Sequence, residues 1–226
     1  RRFNQAAKDD GAGKLFVFGG QGTHGIGETY LFNDLWILDA SNSLDGTRVT
    51  AQIVLPEGLQ KIGLNVPNPS APGDSALELS SDSKFVFLAG TGQAKLWRID
   101  VTTEFPKWEE LTLTSTINGL SEDGIGLFFI GDNQDKLCIS GHDEEHIDCY
   151  DNTDDSLTGE STTLTGTFVR ASENSGKAYK FATYTVYNDD GTRKIIRTGG
   201  KASDGTMGPT KIQTYNSAGG LNNNWA

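Results

Sequence analysis

The chain has 226 residues, enough for one large domain or two small ones. Hydrophobic residues make up 35% and charged residues 22%, and no apolar run approaches the ~20 residues of a transmembrane helix, so we expect neither a disordered tail nor a membrane span. The 19 basic residues are scattered among 30 acidic ones, for a net charge of −11. Nucleic-acid binding requires clustered Lys and Arg, so we expect no nucleic-acid partner and favour a partner with a basic surface or a cation.

A repeated pattern runs along the chain. Each copy follows a polar turn, begins with a Lys, continues as an apolar run and ends in or near a Gly pair. The four copies lie at 14–20, 84–90, 136–142 and 194–200. A second apolar segment follows each copy, at 35–39, 96–100, 147–151 and 212–216. The runs are short, bounded by Gly, Asp or Asn, and rich in aromatic and β-branched residues. This is typical of buried strands.

Each copy is completed by two further strands, so that the unit consists of strands a, b, c and d in sequence. Candidates for strand a lie at 1–8, 75–81, 124–131 and 177–188, and candidates for strand d at 47–56, 107–114 and 162–171. Four strands repeated at roughly 50 residues are the pattern of a β-propeller blade. The alternative is a β-sandwich, which gives no reason for the same residue order to recur four times.

The first copy resembles a kelch repeat. The resemblance rests on Phe18-Gly19-Gly20 followed by Asn33-Asp34-Leu35-Trp36-Ile37-Leu38-Asp39, and the other copies are degenerate versions. It implies an all-β fold of four-stranded antiparallel blades in the galactose oxidase and kelch-like superfamily, at approximately 1–56, 75–114, 124–171 and 177–226. The chain starts at Arg1 without Met and lacks a fourth strand d, and four isolated blades expose sheet edges. We therefore expect a processed piece of a larger propeller, whose remainder lies in the parent chain or in another chain.

The two ends of such a unit carry different candidate sites. The b–c loops lie at one end, called here the loop end, and the a–b and c–d turns at the other, called the turn end. Long loops on a rigid scaffold are common binding sites. The long b–c loop 21–33 supplies the contact candidates His24, Glu28, Tyr30 and Phe32, the alternative being an insertion without a ligand. The turn end collects Asp residues, which suit a basic partner or divalent cations, the alternative being turn formation and solubility alone.

The segment His142-Asp-Glu-Glu-His146 is a dense cluster of metal-ligand residue types. Imidazole and carboxylate suit a transition metal, but a b–c hairpin tip cannot easily direct two His and two acids at one ion. We therefore predict an exposed loop, no metal and no cofactor. His142 and His146 stay as candidates for contact with a partner at the loop end.

The two cysteines provide a test of register. A hairpin centred between Asp143 and Glu144 places Cys138 directly opposite Cys149, with Cβ atoms ~4.5–5.5 Å apart. A disulfide is favoured over two reduced thiols. If it forms, the compartment is oxidising, so that the extracellular space or cell surface is favoured over the cytoplasm.

The function expected from these patterns is a non-catalytic scaffold that presents loops to a protein partner, with a glycan as a second class of ligand. The alternative is a carbohydrate-active or metal-dependent propeller enzyme of the galactose oxidase type. The chain has three His, and no nucleophile elbow or phosphate-binding loop is visible. The scaffold is therefore preferred to the enzyme.

Overall fold

The computed structural model describes residues 2–3, 5–24, 28–32, 34–39, 50–54, 75–90, 96–104, 106–113, 125–130, 136–141, 146–151, 157–159, 163–164, 169–172, 179–187, 193–201 and 211–215. Every regular element in these ranges is a β-strand. Over the same ranges, no helix has the length and apolar character needed to cross a membrane.

The strands are short, as the Gly- and Asx-bounded runs predict. In chain order they are β1 (Arg2–Phe3), β2 (Ala6–Asp9), β3 (Lys14–Phe18), β4 (Gln21–His24), β5 (Glu28–Leu31), β6 (Leu35–Asp39), β7 (Thr50–Val54), β8 (Ser75–Leu79), β9 (Phe85–Gly90), β10 (Leu96–Asp100), β11 (Trp108–Leu113), β12 (Ile125–Ile130), β13 (Lys136–Gly141), β14 (His146–Asp151), β15 (Thr163–Leu164), β16 (Val169–Ser172), β17 (Tyr179–Tyr187), β18 (Arg193–Lys201) and β19 (Lys211–Tyr215).

Four antiparallel sheets follow one another along the chain. The first has the order β2-β3-β6-β7, the third β12-β13-β14-β16 and the fourth β17-β18-β19. The second has the order β8-β9-β10-β11, with β15 as a fifth strand that pairs in parallel with β11. The predicted all-β class and the order of strands a, b, c and d are confirmed in the first three sheets. The fourth sheet contains the predicted a, b and c, and the residues after 215 lie outside the described part of the chain.

Three strand predictions need correction. The first strand a is Ala6–Asp9, whereas Arg2–Phe3 pairs with β4 in a separate small sheet of order β1-β4-β5. The segment 21–33 is not a plain loop, because β4 and β5 form a hairpin within it. The predicted strand d at 162–171 is divided: β16 completes the third sheet, while β15 pairs in parallel with β11 of the second.

Short polar side chains close the a–b turns, as their composition predicts. In the first sheet the Asp10 carboxylate accepts hydrogen bonds from the backbone N–H groups of Ala12 (2.8 Å) and Lys14 (2.9 Å), and Gly11 and Gly13 adopt positive φ. In the second, the Ser80 hydroxyl accepts a bond from the N–H of Phe85 (2.9 Å). These side chains accept hydrogen bonds from backbone N–H groups at the end of the β-ladder. They thereby set where each strand b begins.

The Lys and Asp that mark the first three copies in the sequence meet across strands b and c. Lys14 is opposite Asp39 and Lys136 is opposite Asp151 in the antiparallel register. In the second sheet, Lys84 Nζ lies 3.5 Å from an Asp100 carboxylate oxygen. Opposite charges facing each other on neighbouring strands favour this register at the turn end.

The core is built on both faces of the second sheet. Successive residues of β9 point to opposite faces. Phe87 and Ala89 join a cluster with Leu127 and Phe129 of the third sheet, whereas Val86 joins a cluster with residues of the first sheet such as Phe16. The second sheet is therefore covered by the first sheet on one face and by the third sheet on the other.

The first strands of successive sheets lie side by side: β8 contacts β2 and β12, and β12 also contacts β17. Lys8 of β2 and Glu78 of β8 form an ion pair of 2.9 Å across the first of these contacts. Each is the second-last residue of its strand, so the turn ends of the first two sheets lie on the same side. The first two sheets are thus stacked in the same orientation.

We predict that Phe87→Ala lowers the free energy of unfolding by about 3–5 kcal/mol, because it empties a fully buried site. The lost ring packs edge-to-face on Phe129, with centroids 5.5 Å apart. Urea unfolding followed by tryptophan fluorescence measures the change. Leu15→Ala is the control at a side chain that is 39% exposed, and it should cost about 0.5 kcal/mol or less. Equal losses in the two variants would contradict the proposed core.

Candidate functional site

The Gly pair at the end of β3 directs the chain into the small sheet. Gly19 and Gly20 have φ of 63° and 90°, which L-residues with a side chain rarely adopt. The Gly19 N–H donates to the Asp34 carbonyl (3.0 Å), and the Phe32 N–H donates to the Gly20 carbonyl (2.8 Å). A Cβ at Gly19 would lie 3.0 Å from the Phe32 carbonyl oxygen. The base of the β4–β5 hairpin is therefore held by two hydrogen bonds and a close backbone contact.

The hairpin register places three predicted contact positions on one face of the small sheet. His24 is opposite Glu28, and Tyr30 is opposite Gly22. Alternate positions of a strand share a face, and opposed residues lie on the same face. The positions of His24, Glu28 and Tyr30 therefore share one face of the small sheet, which is called here the hairpin face. Phe32 lies beyond the end of β5, at the hairpin base, and is half-buried.

The predicted disulfide is present in the third sheet. Cys138 and Cys149 are opposed in the β13–β14 register and are joined by an S–S bond, with Cα atoms 4.0 Å apart. Both side chains are fully buried. The register predicted from the hairpin centre is confirmed.

The third sheet does not bring the predicted histidines into a described site. His146 begins β14 and is opposite Ser172 of β16, whereas His142 lies outside the described residues. Within the ranges that the structure describes, no three His, Cys, Asp or Glu residues are grouped so that they could hold a metal ion.

The ion pair between β2 and β8 contains an unusual carboxylate. Glu78 is 5% exposed, and both of its oxygens lie within 3.0 Å of Lys8 Nζ. Burial raises the pKa of Glu78 above its usual value of 4.5, against the opposing effects of the Lys8 charge and the Leu79 N–H. Burial disfavours the ionised form of an acid, and here this outweighs the attraction of the partner.

Two buried charges, Glu78 and Arg98, were not predicted from the sequence. Arg98 is 2% exposed in the middle of β10. When the four c strands are aligned, its position is held by Ile37, Cys149 and Thr214 in the other copies. A charged residue at a position that is uncharged in the other copies is the signal that could have identified Arg98.

Comparisons with known proteins add similarities of shape alone. No family model matches the chain, and no curated protein sequence matches it either. A solved structure of YjhT is 12% identical, with a TM-score of 0.45 over 95% of this chain and 82% of that one. A functionally unknown protein from Desulfotomaculum acetoxidans is 9% identical, with a TM-score of 0.46 over 98% and 71%. Hydrazine synthase from Kuenenia stuttgartiensis is 12% identical, with a TM-score of 0.41 over 97% and 64%. Similarities of this size support no statement about function.

We predict that Gly19→Ala destabilises the chain more than Gly11→Ala does. Both glycines have φ between 60° and 70°, so an added methyl group costs about 1–2 kcal/mol of backbone strain at either site. At Gly11 the methyl group meets no atom within 4 Å, whereas at Gly19 it meets the Phe32 carbonyl. That clash should cost about 1–3 kcal/mol more, measured as the difference in unfolding free energy. Equal values would contradict the close approach at the hairpin base.

We predict that Glu78→Gln changes how stability depends on pH. Because the Glu78 pKa is raised in the folded state, the contribution of this carboxyl is fully present below pH 4.5 and is lost as the pH rises through the folded-state pKa. The unfolding free energy of the wild type minus that of the variant should therefore fall above pH 4.5. Urea midpoints at intervals from pH 4 to 8 measure it. A difference that grows with pH would show that the Lys8 charge outweighs burial.

Proposed function

We propose that the chain forms part of a kelch-like β-propeller that acts as a non-catalytic binding scaffold. Three features support a radial arrangement of blades. The sheets repeat one strand order, their first strands lie side by side, and the first two have their turn ends on the same side. Propeller blades are small antiparallel sheets arranged in this way around a common axis.

The packing of the second sheet favours this arrangement over a β-sandwich. A sandwich buries one face of each of its two sheets and leaves the other face in water. The second sheet instead has buried residues on both faces, including the consecutive run Phe85–Ala89. The approximate blade boundaries 1–56, 75–114, 124–171 and 177–226 belong to this proposal, and so does the completion of the ring by the parent chain or by another chain.

The proposed contact surface is the hairpin face at the loop end of the first sheet. It unites His24, Glu28 and Tyr30 on paired strands, and its base is held to the core sheet by hydrogen bonds at Gly19 and Gly20. A paired hairpin needs less ordering on binding than a free loop does, which favours affinity. Imidazole, carboxylate and phenol groups provide the mixed polar and aromatic contacts of protein interfaces.

The class of partner follows from charge. The chain carries a net charge of −11, so a protein with a basic surface is attracted over a long range. A glycan is the second class of ligand, because an aromatic ring beside polar groups suits a sugar. The disulfide between Cys138 and Cys149 fits an oxidising compartment, and we therefore propose an extracellular or cell-surface location.

The observation that carries the proposal is the register that brings three candidate residues onto one face of an anchored hairpin. The test compares the wild type with the triple variant His24→Ala, Glu28→Ala, Tyr30→Ala. Immobilised chain is exposed to secreted proteins of the source organism, and retained proteins are quantified by mass spectrometry. We expect at least one retained protein to fall about tenfold or more on the triple variant, because a few central residues dominate most interfaces.

The control variant is Leu15→Ala with Glu104→Ala, two exposed residues at the turn end. It should retain the same protein as the wild type does. If every retained protein is held equally by all three chains, the hairpin face is not the contact surface. A stoichiometric copper, iron or zinc signal in the purified chain would instead favour the enzyme of the galactose oxidase type.

A further inference from the structure

The first sheet has one covered face and one open face. Alternate residues of β3 and β6, such as Phe16 and Ile37, are buried against the second sheet. The residues between them lie on the other face, called here the outward face, and they are Leu15, Val17, Trp36 and Leu38. Leu15 is 39% exposed, and the other three are only partly buried. Apolar side chains that share an open face indicate an interaction surface.

The second sheet packs on the first sheet through residues at the same places. In both sheets a Trp lies three residues before the Asp that ends strand c, and it is opposite an aliphatic residue of strand b. These pairs are Trp36 with Val17 and Trp97 with Leu88. Trp97 and Leu88 are 3% and 1% exposed, and both belong to the cluster shared with the first sheet. The outward face therefore carries the side chains with which a sheet of this kind packs on the sheet before it.

A sheet that covers the outward face must present an apolar face in the forward direction of the stack. Leu35 and Leu96 begin two of the c strands, and each belongs to the cluster shared with the following sheet. Ile212 has the same place in the fourth copy and is opposite Ile196, which is in turn opposite Tyr184. The positions of these last three residues therefore share the face of the fourth sheet that is turned away from the third, called here the forward face.

A second copy of the chain is the occupant that fits both faces. The fourth sheet of the same chain does not cover the outward face, because Leu15 is 39% exposed. The outward face and the forward face stand at opposite ends of one stack, so each can be covered by its counterpart in a second copy. Two copies joined at both ends contain eight stacked sheets, four from each, within the roughly four to eight blades of propellers. A two-fold arrangement of this kind closes the ring.

We propose that two copies of this chain associate head to tail, so that the forward face of each covers the outward face of the other. This association rests on the proposed propeller arrangement and selects a second copy as the chain that completes the ring. Burial of apolar and aromatic surface drives it, with Trp36 as the largest side chain of the outward face. Leu15 is the most exposed of the four residues and lies at the turn-end rim, where truncation costs little.

The test is the molar mass of the 226-residue chain, measured by light scattering and sedimentation from micromolar to submillimolar concentration. We expect a dimer with twice the chain mass of 24.3 kDa. Val17→Lys places a charge on the outward face, and Ile196→Lys places one on the forward face. Each should weaken the dimer about tenfold or more, because each buries a charge without a partner. Ala12→Lys adds the same charge at an exposed turn residue of the first sheet and should leave the dimer unchanged.

A mixture of the two interface variants identifies the head-to-tail arrangement. When one chain carries Val17→Lys and the other carries Ile196→Lys, both substitutions fall in one contact and the second contact is wild type. The mixture should therefore dimerise more strongly than either variant does alone. Leu38→Lys, on the same outward face, replaces Val17→Lys if circular dichroism shows that the latter does not fold.

Three outcomes overturn the proposal. They are a wild-type chain that stays monomeric over the whole range, a dimer that Ala12→Lys weakens as much as Val17→Lys does, and a mixture without recovery. Hydrogen exchange of the Phe85–Gly90 amides separates these failures from failure of the proposed function. A monomer in which these amides are protected keeps the stacked sheets and loses only the second copy. Fast exchange would instead contradict the stacking on which the propeller depends.

Discussion

Burial of both faces of one sheet is the constraint on which the rest of the structure depends. The second sheet is covered by the first sheet and by the third, and the alternation of β9 sends Phe87 to one neighbour and Val86 to the other. A strand buried on both faces, as β9 is, has a nearly continuous run of apolar residues. Removal of either neighbour would expose aromatic surface, so the sheets stabilise one another in sequence along the chain. The proposed propeller extends this principle from three sheets to a ring.

The two ends of the stack are built from different chemistry. At the turn end, Asp and Ser side chains cap the backbone, and Lys–Asp pairs join strands b and c. At the loop end of the first sheet, the Gly pair allows the chain to leave the core sheet and form the small sheet. The Asp, Ser and Lys side chains at the turn end give short, charged turns, whereas the glycines at the loop end allow a hairpin to be inserted. The proposed contact surface, the hairpin face, lies on that inserted hairpin.

Most of the strands and one register could be predicted from the sequence. Strands 75–79, 108–113 and 125–130 lie within predicted ranges, and the pairing of Cys138 with Cys149 follows from the centre of one hairpin. The β4–β5 hairpin was missed because its strands are short and carry no apolar run. The parallel pairing of β15 was not predicted because its partner, β11, belongs to a different copy. Such a pairing depends on how the sheets stack, which local patterns do not contain.

The sequence by itself determined the elements whose physical cause is local. The turns follow from Asp, Ser and Gly, the buried strands from short apolar runs, and the disulfide from a hairpin register. Only the tertiary structure decided which charges became buried and where. Glu78 meets Lys8 because two first strands lie side by side, and Arg98 meets Leu157 because the third copy folds against the second. These partners are 70 and 59 residues apart in the chain, so that only the stacking of the sheets brings them together.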